Sequence, residues 1–301
     1  MYDVVALGEL LIDFTTQSVD PDGYPSMTAH PGGAPANFLA AIAKFGGKAG
    51  MLGKVGTDTF GKLLTSTLRG AGIETKGLVA ADDVFTTLAF VTLDANGDRE
   101  FAFARKPGAD TQLTFEELDL SLIDETQVFH FGTLSLTGEP VRTTTYRAVE
   151  YAKAHGKLVT YDPNLRKPLW NDLNEAKEQM LWGLAQADVV KISDEEVEFL
   201  FGLGVREGAQ YILDHFPVKL VFVTCAAGAE DRRYHRRGRY FRRQRRVEAA
   251  PDRESPGGSW RSGAARDRIF CLPGRGTFHD EARRHFECAR FYILDHNSYR
   301  S

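Results

Sequence analysis

The stretch HPGGAPANFLAAIAKFGGKAGMLGKVGTDTFG, His30 to Gly61, decides how the rest of the chain is read. Gly32 and Gly33 stand side by side, Pro35 and Asn37 follow, and an apolar run extends from Phe38 to Phe45. Adjacent glycines open backbone angles closed to other residues and let a ligand lie against bare peptide N–H groups. Pro35 suits the first turn of a helix, whose unpaired N–H groups would point back at whatever the glycines hold. Asn37 would sit at the mouth of such a site with one acceptor and two donors, the mixture a sugar hydroxyl needs. The same spacing also describes an ordinary strand-to-helix loop in which glycine serves only the turn.

Upstream, the apolar run Tyr2 to Leu7 predicts a buried strand. Gly8-Glu9 and Leu10-Leu11-Ile12-Asp13-Phe14 follow, so Asp13 stands just past that strand, as a solvated turn residue or as an acceptor for hydroxyl protons. Thr15 to Ala29 is polar and broken by Pro and Gly. Downstream, Phe85 to Phe103 predicts a hairpin turning at Asn96-Gly97, and Arg105 follows it as a solvated strand-end residue or a ligand donor.

From Leu113 onward, helix and strand patterns alternate. Helices are predicted over Phe115–Leu122, Glu139–His155, Glu175–Ala187, Glu195–Phe201 and Arg206–His215, with strands over Val128–Gly132, Lys157–Tyr161, Asp188–Ile192 and Lys219–Thr224. Such alternation argues for a parallel sheet covered on both faces, with ligands beyond the carboxyl ends of its strands. Asp162, Asn164, Arg166, Ser193, Glu196 and Thr224 fall at such ends. His130 sits in an apolar strand and is expected to be a satisfied core residue, and Trp170 and Trp182 to pack.

Apolar residues make up 43% of the 301, enough for a sizeable core, and no run is apolar for the length of a membrane helix. Cys225, Cys271 and Cys288 have no metal-ligand spacing, which makes a reduced, cytoplasmic setting the expectation. The net charge of −4 conceals a split: residues 1–225 carry 19 basic and 31 acidic side chains, residues 226–301 carry 18 and 10, and all 18 are Arg.

Gly32-Gly33-Ala34-Pro35-Ala36-Asn37, with Gly46-Gly47 and Gly53-Lys54-Val55-Gly56-x-Asp58-x-x-Gly61, resembles the N-terminal signature of the ribokinase-like (PfkB) carbohydrate kinases, and most of all the bacterial fructokinases. The resemblance covers about residues 1–225. It implies an α/β fold, a doubly wound sheet flanked by helices, with a small β-sheet lid from segments at about 14–31 and 85–108. Such a lid would exclude water from the transferring phosphoryl group, and in the family it often carries a homodimer contact. The implied reaction is phosphoryl transfer from ATP, with Mg²⁺, to a sugar hydroxyl; fructose leads, followed by 2-keto-3-deoxygluconate, ribose and a nucleoside. Carried over, the sugar would be held by Asp13, Gly32, Gly33, Asn37, Arg105 and Arg166. Lys191 and Thr224 would lie toward the nucleotide. Glu196 would help to hold the metal, mostly through water, although acidic residues at 194–196 also suit a helix first turn.

The resemblance stops after Thr224. The family's Gly-Ala-Gly-Asp loop would open a helix, form an anion hole and supply the base, and no such tetrapeptide occurs in this chain, so the catalytic base is unassigned. Ser262 to Asp267 bears only a faint likeness to it. Residues 226–301 fit a gene read out of frame first. They also fit a basic tail in which Arg232 to Arg246, interleaved with aromatics, binds nucleic acid, or a solvated extension. With the later strands lost, the sheet is expected to end on an unpaired edge. Low turnover follows, with a catalytically dead sugar-binding or nucleic-acid-binding protein as the alternative.

Overall fold

β1 (Tyr2–Leu7) is the strand from which the sheet grows in both directions. Its alternate residues face two cores: Val5 and Leu7 join one hydrophobic cluster, Val4 and Ala6 the other. A strand buried on both faces reads as an uninterrupted apolar run, which is why Val4 to Leu7 carries no polar residue. The computed structural model describes residues 1–93, 99–225, 266–271 and 288–295.

On one side of β1 lie β4 (Ala49–Gly56) and β5 (Leu78–Ala81). On the other lie β8 (Thr126–Gly132), β9 (Leu158–Asp162), β10 (Val189–Ser193) and β11 (Leu220–Cys225). All of these pair in parallel. Helices α1 (Ala34–Lys44) and α2 (Thr59–Gly70) cover the Val4 face. The Val5 face is covered by α3 (Leu120–Asp124), α4 (Val141–Ala154), α5 (Leu173–Gln186), α6 (Asp194–Phe201) and α7 (Val205–His215). This is the expected doubly wound arrangement. Trp182 packs in it, 4.3 Å from the Tyr146 ring, and the buried Tyr161 ring leaves no space beside Gly183 on α5.

A second, smaller sheet has the order β3-β2-β6-β7, from β2 (Leu11–Val19), β3 (Pro25–Gly32), β6 (Leu88–Leu93) and β7 (Arg99–Ala104). The segments expected in the lid are therefore its strands. β6 and β7 form the predicted hairpin, Leu88 opposite Ala104, although Asn96-Gly97 lies outside the described residues. Phe14 ties the small sheet to the body, stacked on Phe90 and edge-on to Phe60 of α2.

Three expectations need correction. Phe115–Leu122 is not one helix: a 3₁₀ turn at Phe115–Glu117 is followed, after Leu118 and the N-cap Asp119, by α3. Asp13 does not follow the first strand in a turn, because β2 begins at Leu11 and carries Asp13 opposite His30 of β3. The sheet does not end on an open β11 edge, since β13 (Cys288–Asp295) pairs antiparallel with it and β12 (Arg266–Cys271) with β13. Asp267 lies inside β12, so this residue does not open a helix. The segment Arg232 to Arg246, with the nucleic-acid reading placed on it, lies outside the described residues. Among the described residues no helix is long and apolar enough to cross a membrane.

Candidate active site

Asp13 and Gly32 meet across the β2–β3 ladder. A methyl group added at residue 32 would stand 2.2 Å from Asp13 Oδ2, so glycine there is a condition for the carboxylate's position. Asp13 is half-buried. Burial raises its pKa, and the positive charge of Arg166 and then His30 works in the opposite direction. An Asp in this setting is a strong acceptor that lacks a full hydration shell.

Gly33 has φ +112, and a side chain on it would meet the Glu9 carbonyl oxygen at 2.4 Å. It is the N-cap of α1, and Pro35 sits in the first turn as expected. Asn37 is exposed one turn in, and its N–H donates to the Gly33 carbonyl at 2.9 Å. One of the helix's expected free donors is not free: the Ala34 N–H is directed at Glu9 Oε1, 2.9 Å away.

Arg105 follows β7 and is buried, 7% exposed. Its guanidinium binds Asp110 through Nε at 2.9 Å, Thr137 Oγ1 at 2.8 Å and the Leu134 carbonyl at 2.8 Å. It is therefore not the solvated strand-end residue, and three of its N–H groups serve the protein itself. Thr87 binds the other Asp110 oxygen. This is the tight pairing that a buried guanidinium requires.

Arg166 lies in the loop after β9, on the body side, 5.5 Å from the Phe101 ring of β7. A Glu196 oxygen fixes that loop by accepting the Leu165 N–H at 2.7 Å. Its other oxygen accepts the Ser193 N–H at 2.8 Å, in a capping box that starts α6. The helix-capping reading of Glu196 therefore holds in the structure, with a tether to the Arg166 loop added.

Lys191 and Asp162 form an ion pair at 3.0 Å at the carboxyl ends of β10 and β9. Ser193 is in register with Thr224 of β11, and Asn164, in the loop after β9, adopts φ +46. The strand ends thus gather two groups, one of Asp13, Gly32 and Gly33, the other of Asp162, Lys191, Glu196 and Thr224. Arg166 stands between them. His130 is buried and satisfied, Nδ1 2.9 Å from Thr160 Oγ1, with burial and then Lys191 pushing its pKa down to about 3.

Several residues that hold this geometry carry no individual function in the sequence pattern, Asp58 standing there only as part of the signature. Asp58 caps α2 through the Phe60 and Gly61 N–H groups and also binds the Thr86 N–H at 2.8 Å. Burial disfavours its ionisation, yet these donors outweigh that and hold its carboxyl below the usual range. Glu9 is 3% exposed and Asp110 4%. Glu9 next to Gly8, and Asp110 ending Gly-Ala-Asp, were visible only as acidic residues in apolar company.

The pfkB family carbohydrate kinase model matches residues 1–229. Fructokinase-1 of Zea mays is 46% identical over 224 residues, covering 73% of this chain and 69% of that protein. A crystal structure of fructokinase from Xylella fastidiosa superposes with a TM-score of 0.69 at 32% identity, over 75% of this chain and 71% of that one. A second, of the Xylella fastidiosa enzyme with bound ATP, gives 0.68 at 33%, over 76% and 70%.

Proposed function

The chain belongs to the pfkB family of carbohydrate kinases, and from that premise we propose that it binds a hexose, fructose before others, and is built to pass the γ-phosphoryl group of ATP to one of its hydroxyls. The observation that carries the reading is the Asp13–Gly32 contact with Arg166 near enough to bias the carboxylate. An acceptor, bare peptide and a cation then converge on one space.

In this reading Asp13 accepts protons from sugar hydroxyls, the turn at Gly32-Gly33 lies against the ring, and Asn37 binds at the rim. Arg166 donates its planar fork to sugar or phosphate oxygens. Arg105 acts from beneath, holding Asp110 and Thr137, with what remains of its donor capacity toward the sugar. The small sheet closes over the sugar and excludes water. ATP lies toward Lys191 and Thr224 in this reading; that ATP is the donor is supported by the Xylella fastidiosa relative crystallised with bound ATP. Phosphoryl transfer of this kind depends on alignment and charge more than on covalent help.

Mg²⁺ would neutralise charge on the nucleotide phosphates. Among the described residues no three metal-ligating side chains gather. A Mg²⁺ ion keeps most of its water and needs few carboxylates. Glu196 fits that role through water, each oxygen retaining a lone pair beyond its backbone bond.

Turnover is the weak point of the chain, because no Gly-Ala-Gly-Asp is present to supply the anion hole and base. Binding is therefore the decisive test. Calorimetric titration with fructose should show saturable binding that Asp13→Ala removes while the circular dichroism spectrum stays unchanged. Absence of heat from the wild-type chain at millimolar fructose would sink the reading.

A further inference from the structure

We infer that Glu9 is a positioning residue for sugar binding: its buried carboxylate clamps the diglycine turn to the start of β2, and the clamp is tighter when that carboxylate is ionised. The inference rests on the sugar lying at this turn, as proposed above.

The geometry is a closed circuit. Glu9 lies in the short link Gly8 to Leu10 between β1 and β2. Its side chain accepts the Ala34 N–H at 2.9 Å, and its backbone carbonyl sits under Gly33, where a Cβ would come within 2.4 Å. Side chain and main chain of one residue therefore grip both sides of the turn. Gly8 next to it is pressed against the Pro35 ring, 2.6 Å from where its own Cβ would be. The turn has no side chains of its own to lock it, and Glu9 supplies the constraint from below.

Glu9 is 3% exposed, a place where an acidic residue is costly unless it has work to do. The charged groups acting on it are Arg105, which favours its ionised form, and Asp110, which opposes it. Burial dominates and pushes its pKa up to about 7, against hydrogen bonds from the backbone. Near neutral pH the acceptor of the Ala34 N–H therefore changes between a carboxylate and a carboxylic acid. A charged acceptor binds an N–H more strongly than a neutral one, and it also complements the positive end of α1.

The test uses the full chain, with fructose as the probe, titrated by calorimetry on either side of neutrality. Wild-type affinity should be stronger at the alkaline end by roughly fivefold, the difference between a charged and a neutral acceptor. Glu9→Gln, which keeps the acceptor and shape, should bind with the wild type's acid-side affinity at every pH. Glu9→Ala should weaken binding at least about tenfold, with the Gln variant as its rescue. Asp13→Ala serves as the control for the sugar site. Asp13 lies beside the sugar in wild type and Glu9 variants alike, so the difference from wild type isolates Glu9. If wild type binds and Asp13→Ala does not, while both Glu9 variants follow the wild-type profile, the clamp is refuted and the sugar site stands. If wild type binds no fructose, both fall.

Discussion

The Asp13 carboxylate rests on the Cα of Gly32, with no space between them for even a methyl group. Gly32→Ala must therefore move the carboxylate or the turn. Fructose affinity should fall by about a hundredfold, the scale of a ~1 Å displacement at a site. Calorimetric titration measures it, and a wild-type dissociation constant in the variant would show that Asp13 is not a sugar ligand.

Gly183 on α5 faces the Tyr161 ring so closely that a Cβ would stand 2.3 Å from the ring carbon bearing the hydroxyl. A buried aromatic ring has nowhere to go, so Gly183→Ala should cost about 1–3 kcal/mol through overpacking. Urea denaturation would read this as a lower midpoint with little change in slope.

Asp58 binds α2 and the Thr86 backbone together. Asp58→Ala removes a cap and leaves the buried Thr86 N–H without this acceptor, a loss of about 2 kcal/mol. Because the folded carboxyl lies below its ordinary range, this stabilisation is present above the unfolded pKa and is lost as the pH falls through the folded one. A Gly56 side chain would strike the same carboxylate, so Gly56→Ala should reproduce part of the effect.

His130 and Glu9 give opposite pH slopes. With its folded pKa near 3, His130 binds its extra proton only when unfolded, so stability should fall as the pH drops from about 6.5 toward 3. Glu9, raised to about 7, binds its extra proton when folded, so its contribution grows as the pH falls from about 7 to 4.5. The two offset one another between about pH 6.5 and 4.5, so denaturation midpoints should show Glu9→Gln steepening the curve there by leaving the His130 slope alone, and His130→Asn flattening it below about 4.5.

In a coupled assay of ADP release, the purified chain should turn over fructose and ATP at least about a hundredfold slower than the Xylella fastidiosa fructokinase, the scale of losing a general base. Comparable turnover would mean that some other group replaces the Gly-Ala-Gly-Asp loop.

The alternation from Leu113 to Thr224 was legible because each helix there has an apolar face and each strand an apolar run. The diglycine turn was legible because only glycine fits it. Arg105 and Glu196 were visible as polar residues at the right places, yet not the partners that occupy them, because Asp110, Thr137 and the Leu165 N–H reach them by tertiary contact. Glu9 was hidden for a related reason: its partner lies 25 residues away, and local sequence cannot show a carboxylate turned inward beneath a helix start. The antiparallel strands beside β11 were missed because the composition after Thr224 argued against further sheet.

Asp13 and Gly32 both ride on strands of the small sheet, whereas Arg166 belongs to the body. A hinge movement of that sheet cannot leave the carboxylate behind. Capturing a guest and shutting the door on it would be one motion, so residence time in the pocket should track how firmly the cap is held, with the Phe101–Arg166 contact as the catch.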